Sequence, residues 1–299
     1  MSESARSLLR SGFVAVAGRP NVGKSTLVNA LCGGKVAIVS DKPQTTRRRI
    51  LGIANGETAP GESYQLVLVD LPGFQRPRDR LTERMQRTVD VALGDGDAVL
   101  FVLDCRERIG AGDRHVARCV FDLGVPVVIA LNKVDRLKPG HIATQMKTAS
   151  ELGDFHALHP VSAKTGDGIE ELRDELVPLL PEGPLYFPAD QRTDLPLDLQ
   201  VAELVREQAL HLTREEVPHS VSVEIEELEE NVVRATIAVE TDSQKQILVG
   251  RGGSMVKTIG QRSRPEIEAL LGRHVFLDLH VKVRPRWRRD DAVLERLGL

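Results

Sequence analysis

The chain has 299 residues, 41% of them hydrophobic and 28% charged, with a formal net charge of −3. That balance excludes an intrinsically disordered chain, and the length predicts about two domains. No apolar run approaches the ~20 residues of a membrane-spanning helix, and Met1 to Arg10 lacks the apolar core of a signal peptide.

An apolar run at residues 13–17 predicts a buried strand, and residues 25–31 predict a helix. Between them stands Gly18-Arg19-Pro20-Asn21-Val22-Gly23-Lys24-Ser25, a Gly-x-x-x-x-Gly-Lys-Ser phosphate-binding loop in a strand–loop–helix setting. Gly18 and Gly23 let successive backbone N–H groups turn inward, as an anion nest at a helix N-terminus. Lys24 is expected to reach the β and γ phosphates and the Ser25 hydroxyl to ligate magnesium, with nucleotide contacts running on to Thr26.

Residues 65–70 form another apolar run, ending in Asp70 and followed by Leu71-Pro72-Gly73-Phe74. An acid at that strand end is expected to bind the magnesium, usually through water, and the Gly73 N–H to sense the γ phosphate. Residues 98–104 and 126–131 are two more apolar runs of strand length, with helix-compatible stretches at 81–93 and 113–123 between the runs. Such alternation predicts an α/β domain whose mostly parallel sheet is covered on both faces, with ligands at the carboxyl ends of the strands.

Asn132-Lys133-Val134-Asp135 closes the run at 126–131. The Asp135 carboxylate can accept from N1–H and the exocyclic amine of guanine, whereas adenine would leave it unpaired. Asn132 is expected to brace the loops and the Lys133 stem to pack along the ring. Further on, Ser162-Ala163-Lys164 offers the Ala163 N–H to the guanine oxygen.

These motifs together resemble a translation-factor-type GTPase domain, which implies GTP/GDP and Mg2+ as cofactors. The resemblance implies Thr46 as the switch threonine that completes the magnesium shell, with Thr45 as the alternative, and so a catalytic set of Lys24, Thr46, Gly73 and Asn21. Phe74 stands where many such enzymes carry a glutamine that orients the attacking water, so slow intrinsic hydrolysis is expected. Asn21 is similar to an asparagine that holds K+ in related GTPases; potassium and a partner's group both stay open as the missing catalytic charge. Arg47 to Arg49 form a basic run that either touches RNA or is simply solvated.

Five prolines between Pro178 and Pro196 predict a semi-rigid connector, so the expected division is a GTPase domain at 1–183, a linker at 184–196 and a smaller domain at 197–299. The three cysteines, all before it, lack zinc or disulfide spacing. Residues 197–244 hold 3 basic and 12 acidic side chains, and residues 245–289 hold 11 basic and 3 acidic. Those blocks predict either a basic face or mutual ion pairing. A helix pattern from Leu197 to Leu212 precedes two alternating strands around Val223 and Ile237. Gly250-Arg251-Gly252-Gly253 then precedes a helix-like stretch to Leu271, and a third strand alternates from Val275 to Val283.

This half resembles a type II KH domain, an α+β fold whose Gly-x-x-Gly loop lets RNA phosphates approach the backbone. The resemblance implies RNA contacts from Gly250, Arg251, Gly252, Gly253 and Lys257, groove walls from Val249 and Ile259, and further contacts from Lys282, Arg284 and Arg286. Trp287 is open between stacking on RNA and lying in the core. The two halves in one chain resemble a bacterial family of ribosome-assembly GTPases. Membership implies the 3′ end of 16S rRNA and the 30S subunit as partners and a monomer in the cytoplasm, with peripheral contact at the inner face of the cell membrane left open.

Overall fold

The computed structural model describes residues 8–59 and 62–299, so the first seven residues of the stretch assessed for a signal peptide lie outside the described residues. The chain divides into two compact units. The first takes the described residues up to Ala37, then Thr46–Arg76 and Met85–Asp194; the second takes Ile38–Thr45, Pro77–Arg84 and Leu195–Leu299.

In the first unit β1 (Leu8–Ala17) leads to α1 (Lys24–Leu31), then β2 (Ile50–Ala59) and β3 (Glu62–Asp70). Next come α2 (Arg80–Gly94), whose first turn belongs to the second unit, β4 (Ala98–Asp104) and α3 (Ala111–Phe121). β5 (Val127–Asn132), α4 (Pro139–Ala149), β6 (Ala157–Val161) and α5 (Ile169–Leu176) complete it. The sheet order is β2-β3-β1-β4-β5-β6, parallel except for β2, which runs antiparallel to β3 at the edge.

Alternation explains why the strands read as continuous apolar runs. Val14, Val16, Leu66, Leu68, Leu100 and Val102 face one core with Leu27 and Val28 of α1 and Leu172 of α5. Ala15, Val67, Val69, Val99, Phe101 and Leu103 face the other with Val89 of α2 and Val116 of α3. Each residue is buried on one side or the other, as a doubly covered sheet requires. Burial of both faces supplies most of the stabilisation, at roughly 25 cal/mol per Å² of apolar surface.

The proline-rich connector is fastened rather than free. The buried Gln65 on β3 donates to the Phe187 carbonyl (2.9 Å) and accepts from the Tyr186 and Phe187 N–H groups, and Thr193 bridges to Gly52 on β2. Most of the expected linker therefore counts with the first unit.

The second unit contains α6 (Leu197–Leu212), the short α7 (Val217–Ser220), β7 (Ser222–Leu228) and β8 (Val232–Val239). α8 (Asp242–Val249), α9 (Ser254–Leu271), β9 (Phe276–Val283) and α10 (Asp291–Arg296) follow. Its sheet order is β7-β8-β9, with β7 antiparallel and β9 parallel to β8. Val233, Ala235, Ile237 and Val239 pack against Val201 and Val205 of α6, Leu248 of α8, and Ile259 and Ile267 of α9.

Segment Ile38–Thr45 is held inside this unit by α6. The Glu207 carboxylate accepts from the Val39 N–H (2.8 Å), His211 Nε2 donates to the Val39 carbonyl (2.9 Å), and Arg206, itself paired with Glu203, donates to the Thr45 carbonyl. Segment Pro77–Arg84 is held at the C-terminal end, with Arg288 on Asp79 (2.7 Å) and Arg84 on Asp291 (2.8 Å) and the Leu299 carbonyl (2.7 Å). Nothing in local sequence announces these attachments.

Candidate nucleotide site and nucleic-acid interface

β1, β3, β4, β5 and β6 run parallel, so Gly18, Asp70, Asp104, Asn132 and Ser162 all fall at one edge of the sheet, the carboxyl edge. The phosphate loop turns there directly into α1. At Gly23 φ is +100° and an added Cβ would stand 2.3 Å from Asn132 Nδ2, so glycine is required both for the backbone and for Asn132 to reach the loop.

Lys24 is buried and folds back over the loop, its ammonium donating to the Gly18 (3.2 Å) and Arg19 (3.0 Å) carbonyls. Burial pulls its pKa down to about 8, against the opposing pull of the Asp70 charge. Among the described residues the hydrogen bonds of this buried cation go to neutral carbonyls at a nest of N–H groups, an arrangement suited to a polyphosphate.

Three oxygens converge beside it. Ser25 Oγ lies 2.8 Å from Thr46 Oγ1 and donates to Asp70 Oδ2 at 2.6 Å, and Thr46 Oγ1 lies 3.3 Å from the same carboxylate oxygen. Asp70 is fully buried, and its Oδ1 has no hydrogen-bond partner among the described residues. Burial raises its pKa, while the Ser25 and Thr46 hydroxyls and the Lys24 charge resist the rise. Two hydroxyls and a carboxylate with a spare buried oxygen suit a hard, oxygen-seeking divalent cation. Thr45 points elsewhere, donating to the Lys42 carbonyl. Gly73 sits against the phosphate loop, where a Cβ would stand 2.7 Å from Pro20 N, while Leu71 and Phe74 are buried in the core.

The base end is braced by Asn132, whose Nδ2 donates to the Val22 carbonyl (3.0 Å) and whose Oδ1 accepts from the Lys133 and Ala163 N–H groups (2.8 and 3.0 Å). The Ala163 N–H, expected to face the guanine oxygen, is thus engaged by Asn132: β6 pairs with β5 in a register that sets the two loops side by side. Asp135 Oδ1 accepts from Ser162 Oγ at 2.8 Å, which aims the carboxylate. Lys133 takes a left-handed φ of 71° and stretches its ammonium to the Asn21 carbonyl and to Asp104 Oδ2 (2.7 Å). Asp104 had no role in the sequence reading, although it ends an apolar run with an acid, the same signal that singled out Asp70. Arg19 turns out of the loop to Asp113 at the start of α3 (3.1 Å).

In the second unit α8 and α9 flank the Gly250–Gly253 loop. Gly253 has φ +80° and open space where a Cβ would be, so backbone is presented bare at the N-terminus of α9. Arg251 and Lys257 are exposed beside it, and Val249 is half-buried.

The structure corrects one expected contact of this half and bears on two alternatives that the sequence left open. Ile259 is fully buried with Ser263 and Ile267, one helical stripe facing the core, so it cannot form a groove wall. Lys282 and Arg284 are paired with Glu226 (2.7 Å) and Glu224 (2.5 Å), and Arg234 with Asp278 (3.2 Å), so the two charge blocks pair in part across the sheet. Alternation along β9 sets Lys282 opposite to the residues facing α8 and α9. Trp287 is buried and donates its indole N–H to the Ser220 carbonyl (2.8 Å), which makes it core. Arg286, in the adjacent turn, has a left-handed φ of 55°.

Among the described residues, no helix is long and apolar enough to cross a membrane. The family described as "50S ribosome-binding GTPase" matches residues 13–133, and the KH domain family matches residues 216–288. The chain is 46% identical to "GTPase Era" of Heliobacterium modesticaldum, over 97% of each chain, and 46% identical to that of Thermotoga maritima, over 97% of this chain and 98% of the relative. It superposes with TM-score 0.92 and 38% identity on a crystal structure of Era in complex with MgGDPNP and nucleotides 1506–1542 of 16S ribosomal RNA, over 97% of this chain and 99% of that one. A point variant of Aquifex aeolicus Era bound to GDP·AlF4− gives TM-score 0.92 and 37% identity at the same coverage.

Proposed function

We propose that this chain, which belongs to the Era family of GTPases, hydrolyses GTP and uses the γ-phosphate state to control its grip on the 3′ end of 16S rRNA during assembly of the 30S subunit. Lys24 and the loop N–H groups hold the β and γ phosphates, and Ser25, Thr46 and Asp70 hold the magnesium, with Asp70 acting through water. Magnesium supplies charge neutralisation on the phosphates; the chain supplies position. Asn132, Lys133 and Asp135 select guanine. Gly250 to Gly253, with Arg251 and Lys257, present bare backbone and positive charge to RNA phosphates. The protein works as a cytoplasmic monomer.

The observation that carries the coupling is the junction of Thr45 and Thr46. Thr46 lies with Ser25 and Asp70, while the residue before it is counted in the RNA-binding unit and is held by Arg206. Were Thr46 to move on binding of the γ phosphate and metal, it would pull on a segment anchored to α6. Phe74 offers no hydrogen bond to an attacking water, so the intrinsic rate is slow, and Asn21 is the position through which potassium would act.

The test is binding of a 16S 3′-end oligonucleotide and a scrambled control at one salt concentration, with GDP and with a non-hydrolysable GTP analogue. Tighter binding of the specific RNA in the GTP state supports the switch. Equal binding in both states removes the coupling, and no preference over the scrambled RNA removes the rRNA assignment.

A further inference from the structure

Asp104 ends β4 opposite Asn132 of β5, so strand register alone sets it beside the first residue of the guanine motif. Its carboxylate is only 4% exposed and fully committed. Oδ2 accepts from Lys133 Nζ (2.7 Å) and Arg106 Nη2 (2.7 Å), and Oδ1 accepts from Arg106 Nε (2.9 Å) and the Arg106 backbone N–H (3.0 Å). Burial opposes the charge, but the Arg106 and Lys133 hydrogen bonds outweigh it and hold the carboxyl below the usual range. It is therefore ionised wherever the protein is folded near neutral pH.

Lys133 needs such an anchor. Its backbone is left-handed, and its long stem has a large choice of rotamers to lose. Among the described residues the ammonium is drawn to two acceptors, Asp104 and the carbonyl of Asn21, whose own φ is 66°. With both ends fixed, the methylene stem is stretched from the Asn132–Asp135 loop to the phosphate loop. Asp104, Lys133 and Asn21 thus form one chain of hydrogen bonds linking the base end of the site to its phosphate end.

We propose that Asp104 is a positioning residue of the guanine clamp: by holding the Lys133 ammonium it pre-sets the lysine stem as the floor on which the base lies and so governs how slowly nucleotide leaves. The inference rests on the site's reading as a guanine-nucleotide site. Arg106, 39% exposed, supplies the other three hydrogen bonds to Asp104, one of them on the same Oδ2 that Lys133 reaches.

The experiment measures release of a fluorescent GDP from the full-length protein and from Asp104→Asn, Asp104→Glu, Lys133→Ala, Arg106→Ala and the double variant Asp104→Asn/Lys133→Ala. Loss of a charged hydrogen bond predicts roughly 10- to 100-fold faster release for Asp104→Asn, with kcat at saturating GTP within about twofold of the parent. The double variant should release no faster than Lys133→Ala within about twofold, because the two residues act as one unit. Arg106→Ala, which leaves Asp104 its charge, the Arg106 backbone bond and the Lys133 bond, should release faster than the parent but slower than Asp104→Asn. Asp104→Glu keeps the charge but displaces the carboxylate by one methylene, and about threefold faster release is expected. Parental release in Asp104→Asn, full additivity in the double variant, or an Arg106→Ala effect equal to that of Asp104→Asn overturns the proposal. Parental release in Asp104→Glu does so even where Asp104→Asn does not fold. A parent protein that fails to bind GDP would instead sink the nucleotide-site reading.

Discussion

The Ser25 hydroxyl donates to Asp70 Oδ2 at 2.6 Å, while the other oxygen of that fully buried carboxylate has no hydrogen-bond partner among the described residues. An uncompensated buried lone pair is costly in a folded protein, and a divalent cation or its bound water is the partner proposed for it. Asp70→Asn removes the buried charge and the anchor for metal-bound water together. Magnesium-dependent GTP affinity should fall by roughly 10- to 100-fold. The nucleotide-free variant should melt no lower than the parent, because the penalty for burying the charge disappears. Titration of nucleotide with and without magnesium, beside a thermal melt, reads both; unchanged magnesium dependence refutes the role.

Lys24 supplies a pH signature. Its folded pKa of about 8 lies below its ordinary value of 10.5, so the unfolded chain binds more protons between those values. Stability of the nucleotide-free protein should therefore rise as pH increases from about 8 towards 10.5. Phosphate binding favours the charged form and so acts in the opposite sense: GTP affinity should fall above about pH 8, with proton uptake on binding. Calorimetry in two buffers of different ionisation enthalpy detects that uptake, and its absence at pH 8.5 would show that Lys24 stays fully charged in the free protein.

Asp135→Asn should shift preference from guanine to xanthine nucleotides, because the exchanged group donates where the carboxylate accepted. Ser162→Ala removes only the 2.8 Å bond that aims the carboxylate and should cost about 1.5–3 kcal/mol of GDP binding without changing base preference. Competition among GDP, XDP and IDP separates the two effects.

His211→Ala tests how the RNA-binding unit holds Ile38–Thr45. The side chain is exposed and its bond is to the Val39 carbonyl, so the stability cost should stay within about 0.5 kcal/mol. RNA affinity should then become less sensitive to the identity of the bound nucleotide, while GTP affinity is unchanged. A nucleotide-dependence equal to that of the parent would show that the segment's attachment is idle.

Trp287→Phe removes a buried indole and its bond to the Ser220 carbonyl, at a cost of about 1–3 kcal/mol. Calorimetry should register the loss, and RNA binding well below the melting temperature should be unaltered. Weaker RNA binding by the folded variant would restore the stacking role.

The sequence by itself determined the chemistry of the nucleotide site. The loop of residues 18–25, Asp70, Gly73 and the Asn132–Asp135 motif are local patterns at the ends of apolar runs, and a parallel sheet places such ends at one edge. It also carried the α+β character of the second half, because strict alternation and a Gly-x-x-Gly loop are local as well. Tertiary structure decided the rest. Which face of α9 is buried depended on helix phase against the sheet, and that took Ile259 into the core. Strand register set Asp104 beside Lys133, and cross-strand pairing joined Lys282 and Arg284 to acids of the preceding charge block. Packing on α6 and the C-terminal segment drew residues 38–45 and 77–84 away from their sequence neighbours. Those are contacts between residues far apart in the chain, which composition and periodicity do not encode.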